Sequence, residues 1–152
     1  MALEDDIRNL ARLPLFTDVE ADALRLIAFS AETKILRTGE VLFRRGDLSD
    51  GGYVVLSGSF HVDPDGLTRR GGQIVSLHSL IGELALLIPT DRPATVMARE
   101  PSTVLKISRS MFHRVLKEFP QSAVRLRSTM AKRLSTFTSG LAVDAEMSEA
   151  GL

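Results

Sequence analysis

The feature that most constrains this chain is a change in the period of its apolar residues. Near both ends they recur at steps of three and four, as in amphipathic helices. Between residues 31 and 108 they form short runs such as "GGYVVLSGSFHV", which are broken by glycines and other turn residues. Many short strands with frequent turns favour a sandwich or a barrel-like β-roll, here with helices on either side.

Two helices are predicted before the strands. The first places four apolar residues on one face and is stopped by Pro14; these residues are Leu3, Ile7, Leu10 and Ala11. The second helix repeats this pattern. Its apolar residues are Val19, Ala23, Leu24 and Ile27.

Two helices are also predicted after the strands, and Pro120 separates them. The last one carries a continuous apolar stripe, formed by Ala123, Leu126, Met130, Leu134, Phe137 and Leu141. The other faces of these helices are basic and are interpreted as solvent-exposed, Arg109 included. Because a long apolar stripe needs cover, we expect a homodimer through residues 120–141.

Turn residues organise the strands between the helices. Asp65-Gly66, within "DPDGLTRRGG", is expected to close a β-hairpin. The runs "ATVMA" and "STVLKIS", separated by Glu100-Pro101, are expected to form another pair of strands. Residues 142–152 are acidic and rich in small residues, so they are predicted to be a flexible tail.

Composition excludes several classes of function. Among the 152 residues there is no cysteine, and the formal net charge is +0, so neither thiolate chemistry nor a general attraction to nucleic acid is expected. His61, His78 and His113 are scattered, so no metal site is expected. No nucleophile motif and no nucleotide-phosphate glycine motif is present, so the chain is not expected to be an enzyme. The amino-terminal residues carry charges where a signal core would be apolar, and a cytoplasmic location is expected.

The stretch "GELALLIPTDRPATV", residues 82–96, carries the chemistry. An apolar run after Gly82 and Glu83 predicts one short helical turn, whose first N–H groups, on Leu84 and Ala85, would point outward toward an anion. Arg92 would return to the same place and give a phosphate a planar donor. Glu83 would repel a phosphate, but it could accept a hydrogen bond from a sugar hydroxyl. These residues together predict a pocket that binds a sugar and a phosphate.

At these residues the chain resembles the cyclic-nucleotide-binding domains. Their phosphate-binding cassette has the form G-E-(L/I/M)-A-L, a short loop, and R-x-A-(T/S), as "GELALLIPTDRPAT" does here. Further resemblance lies in "PLF", "LFRRGDLSD", "YVVLSGSFHV" and, in the branch of the catabolite activator protein, "FHRVLKEFPQSAVRLRSTMAKRL".

The resemblance implies an antiparallel β-roll of the jelly-roll type with flanking helices, a short cassette helix and carboxy-terminal lid helices. It divides the chain into residues 1–30, 31–108 and 109–141 of a single domain. The implied ligand is cyclic AMP or, less favoured, cyclic GMP, with no other cofactor and no catalysis. The residues implied to contact the ligand are Gly82, Glu83, Leu84, Ala85, Arg92, Pro93, Ala94, Thr95, Phe137 and Thr138. Glu83 would bind the ribose 2′-hydroxyl, Arg92 the phosphate, and Phe137 with Thr138 the purine. Phe137 could instead pack in a dimer seam or close the pocket.

The chain departs from the family pattern at two places. Pro93 stands where the family often has serine, alanine or threonine, so one backbone N–H contact to the phosphate is lost. Because threonine at this place goes with guanine preference, its absence favours cyclic AMP. His78-Ser79 replaces the common Gly-Asp before the cassette.

Other interpretations stay open at this point. Glu83 and Arg92 could form an ion pair with no ligand, and the chain could be an interaction or dimerisation protein that keeps the fold without the ligand. A DNA-binding activator is the least favoured, because the chain ends soon after the lid helix and leaves no room for a helix-turn-helix. No membrane association is expected.

Overall fold

The computed structural model of the chain describes residues 2–64 and 73–132. It begins with helix α1 (Ala2–Ala11), a 3-10 turn (Pro14–Phe16) and helix α2 (Ala21–Ser30). Both predicted helices are confirmed, and the predicted apolar residues of the second are all buried. Ala11 was wrongly placed on the buried face of α1: it is exposed because the helix ends there, one residue after the fully buried Leu10.

In the described residues, eight strands form two antiparallel sheets of four strands each. One sheet has the order β1-β8-β3-β6 and the other the order β2-β7-β4-β5. The strands are β1 (Glu32–Leu36), β2 (Val41–Phe43), β3 (Gly51–Ser57), β4 (Ser59–Asp63), β5 (Gln73–Ser76), β6 (Leu80–Ile81), β7 (Thr95–Ala98) and β8 (Ser102–Ser108). The predicted β-roll with flanking helices is therefore confirmed.

The two predicted strand pairs have different outcomes. Strands β4 and β5 pair antiparallel from Ser59↔Ser76 to Val62↔Gln73, which confirms the hairpin, although Asp65-Gly66 lies outside the described residues. The pairing of β7 with β8 is wrong. At Glu100-Pro101 the chain crosses between the sheets, so β7 pairs with β2 and β4 while β8 pairs with β1 and β3.

Strand β3 is buried on both of its faces. Tyr53 and Val55 point into an apolar cluster between the two sheets, together with Phe60 and Val96. Val54, between them in sequence, points into a second cluster that the helices form, because successive strand side chains point to opposite faces. The sheet containing β3 is thus covered by the helices on one face and by the other sheet on the opposite face.

Helix α3 (Arg109–Glu118) follows β8 directly, with the Ser108 hydroxyl accepting from the N–H of Met111 at its start. A helix that we call α4 resumes at residue 120 and is described to residue 132. The break at Phe119 confirms the predicted separation by Pro120. Within the described residues, no helix is long and apolar enough to cross a bilayer.

Helix α4 packs on the amino-terminal helices of its own chain. The first three residues of the predicted stripe, Ala123, Leu126 and Met130, are buried in the helical cluster. The hydroxyl of Ser122 accepts the N–H of Glu20 at 3.0 Å, at the start of α2. This half of the stripe therefore needs no second copy for cover, which removes that argument for a dimer. Leu134, Phe137 and Leu141 lie outside the described residues, as do Thr138 and the predicted tail, residues 142–152.

Candidate functional site

The predicted short helical turn is a 3-10 turn, Leu84–Leu86, which we call the cassette turn. Gly82, just before it, has a φ of +81°, which a glycine adopts without strain. A Cβ at Gly82 would lie 2.6 Å from Nη1 of Arg92, so a larger residue would displace the guanidinium. The structure therefore brings Gly82 and Arg92 together, as the sequence predicted.

The backbone of the turn is more occupied than the sequence suggested. The N–H of Ala85 donates to the carbonyl of Gly82 at 3.1 Å, and the N–H of Leu86 donates to that of Glu83 at 3.1 Å. The outward-pointing N–H predicted for Ala85 is thus wrong, because a 3-10 turn pairs residues only three apart. The side chain of Leu84 is exposed, whereas that of Ala85 is buried.

Arg92 is only 4% exposed. Its backbone is held by the loop after β2: its N–H donates to the carbonyl of Asp47 at 2.7 Å, and its carbonyl accepts from Gly46 at 2.8 Å. Its Cζ lies 4.2 Å from the ring centroid of Phe43 and 5.6 Å from that of Tyr53. Among the described residues, Nη1 is buried and has no hydrogen-bond partner. Leaving a buried donor unpaired is costly, so this nitrogen indicates a binding site.

The charge of Arg92 is only partly offset by its neighbours. Burial, the largest cause, lowers the pKa of its guanidinium, and the nearby Asp50 and Asp47 carboxylates act in the opposite direction. The Asp50 carboxylate accepts a hydrogen bond from Nζ of Lys106 at 2.9 Å. A guanidinium stays protonated in spite of such a shift. An anion beside Arg92 would therefore meet a positive charge in a largely dehydrated place.

Glu83 is half-buried at the amino-terminal end of the cassette turn. Of the ion pairs between described residues, none joins Glu83 to Arg92. The two side chains are therefore not locked in the ion pair that the sequence left open. The predicted roles of Glu83 toward a ribose and of Arg92 toward a phosphate remain predictions.

The residues after Arg92 lead into strand β7. Pro93 is exposed, and Ala94 is buried. The hydroxyl of Thr95 accepts a hydrogen bond from the backbone N–H of Arg45 at 3.0 Å, so one of its acceptor positions is already used within the chain. Their predicted contacts with a ligand stay predictions. Phe137 and Thr138, predicted to contact a purine, lie outside the described residues.

Arg109 is a residue of this site that sequence reasoning misread. It was assigned to a solvated basic face, but its guanidinium reaches the backbone around the cassette turn. Nη1 donates to the carbonyls of Ala85 at 3.0 Å and Ile88 at 3.2 Å, and Nη2 donates to the carbonyl of Ser49 at 2.7 Å. Since these carbonyls come from distant parts of the chain, the local run of basic residues contained no signal for this role.

His113, one helical turn further along α3, makes a similar contact. Its Nε2 lies 2.9 Å from the carbonyl of Leu87, which can only accept, so Nε2 carries the proton. The side chain of His113 is half-buried. Arg109 and His113 together attach the cassette turn to helix α3.

His78 occupies an unusual backbone position before the cassette. Its φ is +66°, a left-handed conformation that residues with a Cβ rarely adopt. Nε2 of His78 accepts a hydrogen bond from Nη1 of Arg12 at 3.1 Å, because an arginine cannot accept. The departure from Gly-Asp therefore puts a residue with a Cβ at a left-handed position, and the strain falls on His78.

This arrangement of sheets, cassette turn and buried arginine agrees with the comparisons with known proteins. The family model described as "Cyclic nucleotide-binding domain" matches residues 33–119, which is more than half of the chain. The chain belongs to the cyclic nucleotide-binding domain family. The matched range contains the cassette, helix α3 and all but the first residue of the two sheets.

The chain is similar to parts of several different proteins. It is 37% identical to a cyclic nucleotide-binding-like protein from Brucella abortus, with a TM-score of 0.66 over 74% of this chain and 98% of that one. It is 30% identical over 75% of its length to a cAMP-dependent protein kinase regulatory subunit from Yarrowia lipolytica. It is also 30% identical over 73% of its length to Lysophospholipase nte1 from Neurospora crassa. The chain spans only 30% and 8% of those last two proteins.

Proposed function

We propose that this cyclic nucleotide-binding domain takes cyclic AMP in preference to cyclic GMP and acts as a regulatory module without catalysis of its own. The observation that carries the proposal is the buried Arg92, whose Nη1 lies against Gly82 and has no hydrogen-bond partner among the described residues. A cyclic phosphate would supply the missing acceptor and the missing negative charge. Glu83 would bind the ribose, which explains a carboxylate close to an anion site formed by Arg92.

The preference for cyclic AMP rests on Pro93. A threonine at this place goes with guanine preference in the family, and proline lacks the hydroxyl and the N–H that a threonine would offer. Supporting this choice, the Yarrowia lipolytica relative is by its name a cAMP-dependent kinase subunit. Isothermal titration calorimetry of the purified chain with cyclic AMP, cyclic GMP and 5′-AMP tests the proposal. We expect cyclic AMP to give a heat of binding and to bind more tightly than cyclic GMP and 5′-AMP.

The matched variants are Arg92→Ala and Arg37→Ala. Arg37 is exposed, and in the part of the chain that the structure describes its hydrogen bonds, both to Glu40, are made by its backbone. We expect Arg92→Ala to weaken cyclic AMP binding by at least about 30-fold, the range for removing one partner of a buried charged contact, and Arg37→Ala to leave it unchanged. No heat at millimolar cyclic AMP, or equal losses in both variants, would rule the proposal out.

We also propose that binding is signalled by movement of the carboxy-terminal helices. The cassette turn is attached to α3 through Arg109 and His113, and α4 follows α3 after a single residue. A ligand can shift the helices only if it binds one arrangement more tightly than the other. The bond between Ser122 and Glu20 holds α4 in the arrangement described here.

Hydrogen exchange of residues 120–132 with and without cyclic AMP tests this movement. We expect the amides near Ser122 to change their protection in the wild-type chain. In Arg109→Met we expect cyclic AMP to bind while this change is reduced, because the turn and α3 are then less firmly attached. Identical exchange with and without saturating ligand would contradict the mechanism and leave only a binding role.

A second candidate is an interaction protein that keeps the fold without a ligand. Pro93 favours it, since one backbone donor to a phosphate is missing. The two candidates differ in a simple observation: a receptor is stabilised by cyclic AMP in thermal unfolding, whereas a ligand-free relative is not. A homodimer through residues 120–141 remains a prediction that sedimentation analysis would test.

A further inference from the structure

Two aromatic rings from different sheets meet at the guanidinium of Arg92. Phe43 is the last residue of β2, and Tyr53 lies in β3. Their ring centroids are 5.9 Å apart, with an angle of 34° between the ring planes. Both centroids lie within 6 Å of Cζ of Arg92, at 4.2 Å for Phe43 and 5.6 Å for Tyr53. The rings therefore form a cradle on which the charged group rests.

The cradle resolves a difficulty that the site would otherwise have. A buried guanidinium is normally fixed by a carboxylate, but a carboxylate would occupy the N–H groups that an incoming phosphate needs. An aromatic face attracts a cation without accepting a conventional hydrogen bond. Among the described residues Nη1 has no hydrogen-bond partner, and the nearby Asp50 carboxylate already accepts from Lys106.

We propose that Phe43 and Tyr53 are positioning residues of the anion site: their ring faces hold the Arg92 guanidinium in place while Nη1 stays available for the cyclic phosphate. This inference rests on the proposed function. It assigns a role in ligand affinity to two residues outside the cassette, neither of which needs to touch the ligand. Phe43 contributes more, because its centroid is closer to Cζ of Arg92.

The central variants are Phe43→Leu, which removes the ring, and Phe43→Tyr, which keeps it. Phe60→Leu is the matched control, because Phe60 is buried in the same intersheet cluster that Phe43 packs against, and its ring takes no part in the described contacts with Arg92. In calorimetry we expect Phe43→Leu to weaken cyclic AMP binding about tenfold, within the range of a desolvated cation–π contact. We expect Phe43→Tyr and Tyr53→Phe to bind like the wild type.

Phe60→Leu separates positioning from general destabilisation. We expect it to lower the melting temperature at least as much as Phe43→Leu, because Phe60 is fully buried, while cyclic AMP affinity is retained. If both leucine variants lose affinity equally, or if Phe43→Tyr loses it as Phe43→Leu does, the positioning role is refuted.

A ligand-independent measurement completes the test. In a nitrogen-15 spectrum, ring currents should shift the Nε–Hε signal of Arg92 upfield, and Phe43→Leu should remove that shift while Phe60→Leu keeps it. A wild-type chain that shows the shift but no cyclic AMP binding refutes the proposed function and leaves the aromatic contact standing. A wild-type chain that binds cyclic AMP but shows no dependence of the shift on Phe43 refutes the positioning role alone.

Discussion

Two arginines lie near the cassette turn, and they are used in opposite ways. Arg92 is buried, rests on aromatic rings and has one nitrogen without a partner among the described residues. Arg109 is half-buried, and its guanidinium donates to three backbone carbonyls and to the Ser49 hydroxyl. Both Nη atoms of Arg109 therefore donate hydrogen bonds within the chain, whereas Nη1 of Arg92 donates none to a described residue.

This difference indicates a binding role for Arg92 and a structural role for Arg109. A guanidinium whose two Nη atoms both donate to the chain stabilises the fold, and replacing it leaves carbonyls without that donor. A buried guanidinium with an unused donor costs stability until a ligand arrives, as functional groups often do. Replacing Arg92 should therefore weaken ligand binding more than stability, and replacing Arg109 should lower stability more than ligand binding.

The largest effect is expected for Arg92→Met. Cyclic AMP binding should fall by about 2–5 kcal/mol, because the charged partner of the phosphate is removed. The ligand-free protein should be as stable as the wild type or more stable, since a dehydrated charge with an unpaired donor is replaced by an apolar side chain. Calorimetry and thermal unfolding without ligand measure the two quantities. A marked loss of ligand-free stability would place Arg92 among the structural arginines.

The reverse pattern is expected for Arg109→Met. Loss of its hydrogen bonds leaves the carbonyls of Ala85, Ile88 and Ser49 without this donor, which should lower the free energy of unfolding by about 2–3 kcal/mol. Urea unfolding measures this, with Arg114→Met as the control on the same helix, because Arg114 is exposed and its side chain pairs with the exposed Glu118. Binding of cyclic AMP at temperatures where the variant is folded should change less than in Arg92→Met. A stability equal to that of the Arg114 variant would erase the distinction between the two arginines.

A smaller effect is expected at the two left-handed residues on either side of β6, His78 and Gly82. His78→Gly should raise the free energy of unfolding by about 0.5–1 kcal/mol, because strain at a φ of +66° is relieved and exceeds the extra backbone entropy of glycine. Gly82→Ala should do the opposite and also weaken cyclic AMP binding, because its Cβ would meet Nη1 of Arg92. Thermal unfolding and calorimetry of both variants measure these changes, and a destabilised His78→Gly would show that the contact with Arg12 outweighs the strain.

The smallest effect concerns Asp50, which lies near both arginines. Its carbonyl accepts the N–H of Arg109 at 2.7 Å, and its carboxylate pairs with Lys106. The hydrogen bond from Lys106, the largest cause, lowers the pKa of Asp50 below the ordinary value of 3.8. The pair therefore stabilises the fold above that value, and the contribution is lost as the pH falls through the lower pKa of the folded state.

The hydrogen bond from Asp50 likewise raises the pKa of Lys106 above 10.5, so the same contribution is lost in strong alkali. Asp50→Asn should lower the free energy of unfolding at pH 7 by less than about 1 kcal/mol, because the carboxylate is largely exposed, and should flatten the acid limb of the stability curve. Urea unfolding between pH 3 and 7 checks this. An unchanged acid limb would mean that the ion pair contributes nothing to folding.

Much of the fold could be predicted because its signals are local. The change from helical period to short strands, the stop at Pro14 and the break before Pro120 each depend on a few neighbouring residues. The pairing of β7 with β8 was wrong for the converse reason: nearness in sequence does not decide which sheet a strand joins. Similarly, the free N–H predicted for Ala85 depended on the type of turn, which the apolar pattern does not specify.

The sequence by itself determined the roll, the short turn after Gly82 and the convergence of Gly82 with Arg92. The roll follows from the pattern of short strands, and the other two features depend on residues of a single loop. Only the tertiary structure decided that Arg92 rests on Phe43 and Tyr53 and that Arg109 and His113 attach the turn to helix α3. Those contacts join residues 24 and 26 positions apart, as in Arg109 with Ala85 and His113 with Leu87, or residues from different sheets. Such partners are chosen by how strands and helices pack, and packing is a property of the whole chain rather than of any one stretch.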